Sequence, residues 1–576
     1  MYPNQLSIHS ATKRFGDRIV LDRIDLAARP GERIGVIGDN GSGKSTLLRL
    51  LSGELSPDAG DVTVAAAGGI GALGQVLELP DGATVSQAID ACSAELRTLE
   101  RAMHEAERGL ERLDGAALDA ALADYAALTD RFDACDGYGA PARLDAALDV
   151  LGVAGIERSR AWSCLSGGER SRIALAATLA SNPELLLLDE PSNDLDDVAW
   201  QWLVDRLRSH HGTVVAVTHD RAFLQALTDV IWEVDGASVS RYGDGYAGYL
   251  VAKANERERH RLAYETWKAA LARSRELAAV NAGRLDAIPR KLDKAGMGAG
   301  AFRARGRDHG AMARIRNAKE RVARLLAAPV VPPPKPLSFA PALGRTTSVS
   351  QREAPAGRTT DASRATDAPL LTLRGVRVAA ASVDDLQLTA GDRLLVTGPN
   401  GVGKSSLLRV IAGEQRADAG TVTATRSIGH LRQHSEVAPS RRSLLEAYAA
   451  GIREDAEAAE ERLMGLGLFH LRDLGVPVAG LSYGQRRRLE LALLVSESHE
   501  LLLLDEPTNH FSPDLVEDLE RALEGFSGAV VLVSHDRLMR RRFRGERLDL
   551  GGWSGRAVHS RARTPGPVAE SRVHAG

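Results

Sequence analysis

One set of short motifs occurs twice in this chain of 576 residues, in the same order and with the same spacing. In each copy, a serine within a Leu-Ser-X-Gly segment lies 23 positions before the aspartate that ends a run of four leucines. A histidine follows 30 positions after that aspartate. These residues are Ser166, Asp189 and His219 in the first copy and Ser482, Asp505 and His535 in the second. A repeat this regular predicts one domain in two copies, and the chain is long enough for two large cores.

A glycine-rich loop stands near the start of each copy, between a short apolar strand and a helical segment. Its residues are Gly38, Asp39, Asn40, Gly41, Ser42, Gly43, Lys44, Ser45 and Thr46 in the first copy, and Gly398, Pro399, Asn400, Gly401, Val402, Gly403, Lys404, Ser405 and Ser406 in the second. In this context the loop is a P-loop, whose backbone N–H groups surround phosphate oxygens while the lysine reaches the β- and γ-phosphates. The hydroxyl groups of Ser45 and Ser405 are placed to bind Mg²⁺. The sequence therefore predicts two nucleoside triphosphate sites with Mg²⁺.

Together these motifs resemble those of the ATP-binding cassette superfamily over most of the chain. The resemblance implies an α/β fold with two ABC-type P-loop ATPase domains in one chain, joined by a long α-helical hairpin linker. Two cassettes without an apolar run long enough to span a membrane look like the ABC-F class. Residues 505–510, Asp-Glu-Pro-Thr-Asn-His, match a pattern of that class, whereas the first copy has Ser192 and Asp194 in place of the threonine and the histidine.

The resemblance also implies a role for each repeated residue. Asp189 and Asp505 would hold Mg²⁺, and the following residues, Glu190 and Glu506, would orient or deprotonate the attacking water. The other roles fall to Gln75 and Gln433 as Q-loop contacts to Mg²⁺ and water, to His219 and His535 as switches at the γ-phosphate, and to Ser166, Gly167, Gly168, Ser482, Tyr483 and Gly484 as signature loops. Signature loops of the superfamily act across the cassette pair. One ATP is therefore expected between Lys44 and Ser482, and the other between Lys404 and Ser166.

The two sites are expected to differ in how they hold the adenine. Phe15 is in position to stack on the base in the first copy, whereas the matching segment of the second copy, residues 374–382, has no aromatic residue. We therefore predict weaker stacking at the Lys404 site. Both copies keep the glutamate after the aspartate, so both are expected to hydrolyse ATP.

The first copy is longer than the second. Lys44 lies 122 positions before Ser166, whereas Lys404 lies 78 before Ser482. The additional stretch includes residues 86–134, which are rich in Ala, Leu, Glu and Arg and predict a helical-hairpin arm, or else a surface elaboration that binds nothing. The predicted domains are residues 1–244 (first ATPase domain with the arm), 245–330 (basic helical-hairpin linker), 331–368 (flexible tether), 369–560 (second ATPase domain) and 561–576 (disordered tail).

The predicted linker concentrates positive charge. Residues 251–326 contain 19 Lys or Arg and 8 Asp or Glu, in a chain whose net charge is −3. Such a concentration on one element is typical of a protein that binds phosphate backbones, although a solvated helix face is the simpler alternative. The predicted RNA-binding residues are Arg303, Arg305, Arg307, Arg314 and Arg316.

Residues 304–324 look like the linker of actinomycete antibiotic-resistance members of the ABC-F class. The resemblance implies a cytoplasmic, monomeric ATPase that binds the 70S ribosome, with rRNA and the peptidyl-site tRNA as partners. Its ATP-closed form would insert the linker near the tRNA exit and peptidyl sites and protect against macrolide, lincosamide or streptogramin antibiotics. Two alternatives remain: a housekeeping translation factor of the same class, and the ATPase subunit of a drug exporter.

Overall fold

The computed structural model describes residues 5–339 and 368–551, apart from residues 40, 75–76, 78, 111–112, 287–315, 400, 436 and 509–510. Two α/β units of the same architecture flank a long helix. We call the unit before the helix cassette 1 and the unit after it cassette 2. Among the described helices, none is long and apolar enough to cross a membrane.

Cassette 1 contains two sheets with helices packed against them. Its strands are β1 (Leu6–Phe15), β2 (Arg18–Ala28), β3 (Arg33–Gly38), β4 (Ala59–Val64), β5 (Ile70–Leu73), β6 (Leu185–Asp189), β7 (Thr213–Val217), β8 (Val230–Asp235) and β9 (Ser238–Tyr242). Its helices are α1 (Lys44–Leu51), α2 (Val85–Cys92), α3 (Ala94–Leu110), α4 (Ala116–Ala134), α5 (Ala140–Val150), α6 (Gly167–Ala180), α7 (Asp197–Arg208) and α8 (Arg221–Leu227). One sheet is antiparallel with order β2-β1-β4, and the other has order β5-β6-β7-β3-β8-β9 and is parallel except for β9.

Cassette 2 repeats this plan after the linker helices α9 (Gly245–Asp286) and α10 (residues 316–327). Its strands are β10 (Leu371–Val378), β11 (Ala381–Leu388), β12 (Arg393–Thr397), β13 (Ala419–Ala424), β14 (Ile428–Leu431), β15 (Leu501–Asp505), β16 (Ala529–Val533) and β17 (Glu546–Asp549). Its helices are α11 (Lys404–Ile411), α12 (Leu444–Ile452), α13 (Ala456–Leu466), α14 (Tyr483–Ser496), α15 (Pro513–Glu524) and α16 (Arg537–Arg542). The sheet orders are β11-β10-β13 and β14-β15-β16-β12-β17. This match confirms the predicted fold class of two cassettes in one chain.

The leucine runs before the repeated aspartates are central strands, β6 and β15, and all their residues are buried. Alternate side chains of a strand point to opposite faces of a sheet. Accordingly, Leu186 and Leu188 belong to the core formed with α6 and α7, whereas Leu185 and Leu187 belong to the core formed with α1 and the antiparallel sheet. Burial on both faces explains why these strands are continuously apolar.

The additional length of cassette 1 forms α3 and α4, which pack against each other. Leu96, Leu99, Met103 and Phe132 form a small core of their own between them. In cassette 2 the shorter helices α12 and α13 lie between β14 and the signature helix α14.

The linker helix α9 is anchored to cassette 1 near its start and packs against α10 further along. Tyr249 is fully buried, and its hydroxyl donates to Glu233 Oε1 at 2.9 Å. Trp267 Nε1 donates to the carbonyl oxygen of Leu325 in α10 at 3.0 Å. The two helices therefore lie side by side, as expected for a helical hairpin linker.

Residues 331–339, the first part of the flexible tether predicted for residues 331–368, pack against cassette 2. Leu337 is buried in the core of cassette 2, and the rings of Phe339 and Phe526 are 5.5 Å apart. The backbone N–H of Lys335 donates to the carbonyl oxygen of Gly465 at 2.8 Å. Two apolar side chains, Leu337 and Phe339, hold this polar and proline-rich segment against the cassette. Residues 340–367 and the predicted tail, residues 561–576, lie outside the described residues.

Candidate nucleotide-binding sites

The P-loop of each cassette connects a central strand to a helix N-terminus, as the sequence predicted. Gly43 precedes α1 with φ 114°, in the left-handed region, and a Cβ atom there would lie 2.8 Å from Val20 Cγ1. Only glycine fits this position without strain. The loop therefore places the free N–H groups of α1 where phosphate oxygens bind.

The two P-loop lysines make equivalent contacts with their own loops. Lys44 Nζ donates to the carbonyl oxygens of Gly38 and Asp39 at 2.8 and 2.9 Å. Lys404 Nζ makes the corresponding bonds to Gly398 and Pro399 at 2.7 and 3.1 Å. Burial lowers the pKa of both lysines. Each ammonium group lies over its own loop, where it can exchange backbone carbonyls for phosphate oxygens.

A glutamate follows the central strand in each cassette and adopts an uncommon backbone conformation. Glu190 has φ 50° and Glu506 has φ 48°, in the left-handed region. Their backbone N–H groups donate to the last residues of the neighbouring strands, Val217 and Val533. Burial raises the pKa of both carboxyl groups to about 7. Strained residues held by a surrounding sheet are frequent at functional sites, which agrees with the predicted role of these glutamates.

The switch histidines contact these glutamates in both cassettes. His219 Nε2 lies 3.6 Å from Glu190 Oε1, and the His219 backbone N–H donates to Glu190 Oε2 at 3.4 Å. In cassette 2 the corresponding distances, from His535 to Glu506, are 3.5 and 2.9 Å. Burial and the positive charge of Lys404 lower the pKa of His535. The structure therefore brings together the glutamate and histidine of each predicted site.

A cleft of about 460 Å³ in cassette 1 gathers most of the predicted residues. Its lining includes Phe15, Gly41, Gly43, Lys44, Ser45, Thr46, Asp189, Glu190 and His219. Arg18, which the sequence analysis missed, also lines the cleft and donates to the carbonyl oxygen of Gly41 at 3.1 Å. Arg18 could have been predicted from its position at the start of β2, three residues after Phe15.

Two of the predicted magnesium ligands of cassette 2, Ser405 and Asp505, are adjacent. The Ser405 hydroxyl hydrogen-bonds the Asp505 carboxylate, whose pKa is raised by burial despite that bond. Asp505 Oδ1 is buried and has no hydrogen-bond partner among the described residues. A hydroxyl and a buried carboxylate oxygen are ligands that Mg²⁺ prefers, so these two residues fit the ion.

The signature serines begin helices in both cassettes. Ser166 Oγ accepts from the Glu169 backbone N–H at 3.3 Å, and Ser482 Oγ accepts from that of Gln485 at 3.2 Å. These are capping boxes, which fix the N-termini of α6 and α14. The Ser166 hydroxyl also donates to the Glu169 carboxylate at 2.7 Å, whereas the third residue of α14 is a neutral glutamine. Neither serine lines the cleft around Lys44, so the expected placement of one ATP between Lys44 and Ser482 stays a prediction.

Tyr483 ties the signature helix of cassette 2 to its Q-loop. Its hydroxyl donates to the carbonyl oxygen of Gln433 and accepts from the backbone N–H of Ser435, both at 3.3 Å. Gln433 itself is exposed, two residues after β14.

Gln75, Asn40 and Asn400 lie outside the described residues, as do the predicted RNA-binding residues Arg303, Arg305, Arg307 and Arg314. Arg316 is described, and it is exposed at the start of α10.

The cassettes contact each other through α8 and α16, the helices that follow the switch histidines. Arg221, at the start of α8, is fully buried and donates to Asp536 of cassette 2. Arg537, at the start of α16, reciprocally approaches Asp220 of cassette 1 at 3.4 Å. This pair of equivalent arginines gives the interface an approximate twofold relationship.

Comparison with known proteins agrees with this geometry. A family model described as ABC transporter matches residues 21–193 and 382–509, more than half of the chain. The tylosin resistance ATP-binding protein TlrC of Streptomyces fradiae is 56% identical over 549 residues, 95% of this chain and 97% of that protein. The probable ATP-binding protein YheS of Escherichia coli (strain K12) is 32% identical over 91% of this chain and 75% of that protein. The energy-dependent translational throttle protein EttA of Mycobacterium tuberculosis is 31% identical over 91% of this chain and 87% of that protein. The chain therefore belongs to the ATP-binding cassette family, and it is an ABC-F type protein with two cassettes.

Proposed function

We propose that this protein is a cytoplasmic ATPase that acts on the ribosome and protects it against macrolide antibiotics, or against lincosamides or streptogramins. The observation that carries the proposal is its 56% identity to a tylosin resistance protein over 95% of the chain, which includes the linker as well as both cassettes. Tylosin is the only drug that this comparison names, so a macrolide of that type is the first candidate. The EttA relative, named as a translational throttle, supports the ribosome as the target.

ATP hydrolysis follows from the residues of each site. The Glu190 carboxyl group, whose pKa is about 7, is suited to accept a proton from water near neutral pH. His219, 3.6 Å away, is placed to orient that carboxyl group, and we assign it the role of the switch at the γ-phosphate. Lys44 neutralises phosphate charge once it leaves its own loop carbonyls. When bound, Mg²⁺ supplies further charge neutralisation at the phosphates.

The linker supplies the contact to RNA in this proposal. Near the cassettes its basic residues are paired with acids: Lys253 with Glu233, and Arg257 with Asp514 and Asp518. Further along, a group of basic residues is exposed and makes no ion pair within the described part of the chain. This group consists of Lys268, Arg273, Arg275, Arg316, Lys319, Arg321 and Arg324. Exposed cations on two adjacent helices suit a phosphate backbone, which is why we assign rRNA and the peptidyl-site tRNA as partners and extend the assignment to Arg303, Arg305, Arg307 and Arg314.

We assign one role to the ATPase domains and another to the linker, with the predicted domain bounds. Residues 1–244 and 369–560 form the two ATPase domains, and residues 245–330 form the linker. ATP at both sites holds the cassettes together within one molecule and directs the linker toward the tRNA exit and peptidyl sites, and hydrolysis releases them.

A housekeeping translation factor is the second candidate, favoured by the similarity to the translational throttle protein. The two functions differ in the effect of deleting the gene. Loss of a resistance protein lowers the tolerated concentration of one drug class and leaves drug-free growth unchanged. Loss of a housekeeping factor changes growth or translation without a drug.

The test of ribosome binding uses a Glu190→Gln, Glu506→Gln variant, which retains ATP by slowing hydrolysis. With ATP, the variant is expected to sediment with 70S ribosomes through a sucrose cushion. The matched control adds Lys44→Ala and Lys404→Ala, which remove nucleotide binding and should leave the protein in the supernatant. Equal sedimentation of both proteins, or of neither, contradicts the proposal.

A further inference from the structure

An ion pair joins the P-loop of cassette 1 to the signature helix of cassette 2. The Asp39 carboxylate contacts the guanidinium group of Arg488 in α14. The Arg488 side chain is only 16% exposed, and it also donates to the carbonyl oxygen of Leu468 at 3.4 Å. Both residues line a cleft of about 670 Å³ between the cassettes and the linker. The contact therefore lies at the boundary between the units, away from the arginine pair on α8 and α16.

Among the described residues, the second nucleotide site has no counterpart of this ion pair. Asp39 lies five positions before Lys44, and the residue five positions before Lys404 is Pro399, which has no charge. Arg488 lies six positions after Ser482, and the residue six positions after Ser166 is Arg172. Arg172 donates to the carbonyl oxygen of Asp194 within its own cassette, at 3.3 Å. Only one of the two equivalent arginines therefore has an acidic partner in the opposite P-loop.

The ion pair connects the two loops that are expected to share one ATP. Asp39 belongs to the same P-loop as Lys44, and its backbone carbonyl accepts from Lys44 Nζ at 2.9 Å. Ser482 caps the helix that carries Arg488, and an α-helix rises about 1.5 Å per residue, so the two are separated by about 9 Å along the helix axis. Because α14 is a continuous helix of 14 residues, fixing Arg488 also restricts where Ser482 lies relative to the P-loop.

We propose that Asp39 and Arg488 are a positioning pair, which aligns the signature helix of cassette 2 with the P-loop of cassette 1 as the cassettes close on ATP. The pair restrains how the interface closes at the Lys44 site, whereas the Lys404 site closes without an equivalent restraint. This inference rests on the proposed ATPase function. It assigns no contact with ATP to either side chain: both act through the loop and the helix that carry them.

The test is a double-mutant cycle on ATP hydrolysis by the full-length protein, with Asp39→Asn, Arg488→Gln and the double variant. Each single substitution is expected to lower kcat about 3- to 10-fold, and the double variant should be no slower than the slower single. The KM for ATP should change less than about 2-fold, because the P-loop contacts to phosphate are intact. The charge-swapped variant, Asp39→Arg with Arg488→Asp, is expected to recover most of the lost kcat.

Arg172→Gln is the matched control, since Arg172 occupies the equivalent position without an acidic partner across the interface. Its effect should simply multiply with that of Asp39→Asn. Additive behaviour of Asp39→Asn and Arg488→Gln, or a charge swap slower than either single variant, overturns the positioning role. Absence of ATP hydrolysis by the unmodified protein instead overturns the proposed function, and this inference with it.

Discussion

The two nucleotide sites make the same contacts around the glutamate, the histidine and the lysine, and different contacts at the rim. In both, the histidine lies within 3.6 Å of the glutamate, and the lysine donates to a carbonyl oxygen of its own P-loop. At the rim, cassette 1 has Phe15, Arg18 and the charged Asp39, whereas cassette 2 has alanines in the matching turn and Pro399. The glutamate and the histidine follow the ends of buried parallel strands, where the register permits little variation. Groups on turns are not restricted in this way, and the copies have diverged there.

The largest effect is expected from the glutamates that the two sites share. Glu190→Gln with Glu506→Gln should lower kcat by about 100-fold or more, because general-base catalysis typically contributes that much. Steady-state phosphate release measures it, and the two single variants show how much each cassette contributes. A double variant that keeps more than about a tenth of the activity would assign the base to another residue.

The equivalent arginines of the cassette interface should differ strongly in their effect on stability. Arg221 is fully buried and contacts three carboxylates, those of Glu517, Glu520 and Asp536. Arg221→Ala removes the buried cation from a cluster of three acids, of which Glu517 and Glu520 still pair with Arg542, and should cost about 3 kcal/mol. Arg537 contacts the exposed Asp197 and stacks 5.2 Å from the Trp200 ring, so Arg537→Ala should cost about 1 kcal/mol.

Thermal melting of the two variants measures this difference. Arg221→Ala is expected to melt several degrees lower than Arg537→Ala at the same pH and salt concentration. Adding Glu517→Gln and Glu520→Gln to Arg221→Ala should restore part of the loss, since it removes two carboxylates that would otherwise share Arg542 as a cation partner. Equal melting temperatures would mean that the buried ion cluster adds nothing to the interface.

The raised glutamate pKa values predict how activity depends on pH. The base acts in its ionised form, so kcat should fall about tenfold per unit as the pH drops below about 7. The sign for stability is opposite, because burial disfavours the ionised form. The contribution of the neutral carboxyl groups to stability is present below their ordinary pKa and is lost as the pH rises through about 7.

A melting experiment without ATP measures the pH effect on stability separately from the pH effect on kcat. Glu190→Gln with Glu506→Gln should raise the melting temperature at pH 8 and change it little at pH 4.5, where the native glutamates are already neutral. A stabilisation of equal size at both pH values would show that burial does not raise these pKa values.

The smallest predicted effect concerns adenine stacking, where the sites differ. Phe15 is half exposed at the mouth of its cleft, so Phe15→Ala should weaken ATP binding at the Lys44 site about 3- to 10-fold. Fluorescent-nucleotide titration in a Lys404→Ala background isolates this site, and Phe15→Tyr, which keeps a ring, should bind normally. The reciprocal Lys44→Ala background should show weaker binding at the remaining site and no response to Phe15→Ala.

The sequence was sufficient to predict the fold and the grouping of the P-loop, the glutamate and the histidine at each site, because both follow from local patterns. A P-loop needs a strand, a glycine-rich turn and a helix in that order, and an apolar run ending in Asp-Glu marks a central strand. Contacts between residues far apart in the chain could not be predicted in this way. Neither Arg221 with Asp536 nor Asp39 with Arg488 follows from spacing, because each depends on how the cassettes meet. Residues 331–339 were predicted as part of a tether because the composition outweighed two apolar side chains, Leu337 and Phe339.

Cell-free translation tests the central claim most directly. The reaction contains ribosomes but needs no membrane, so drug export cannot account for any protection. Purified protein with ATP is expected to restore synthesis of a reporter by 70S ribosomes that have been inhibited with tylosin. The Lys44→Ala, Lys404→Ala variant should not restore it. Inhibition by an antibiotic that binds the small subunit should be unchanged by either protein. Persistent inhibition at a large excess of the unmodified protein over ribosomes would contradict ribosomal protection.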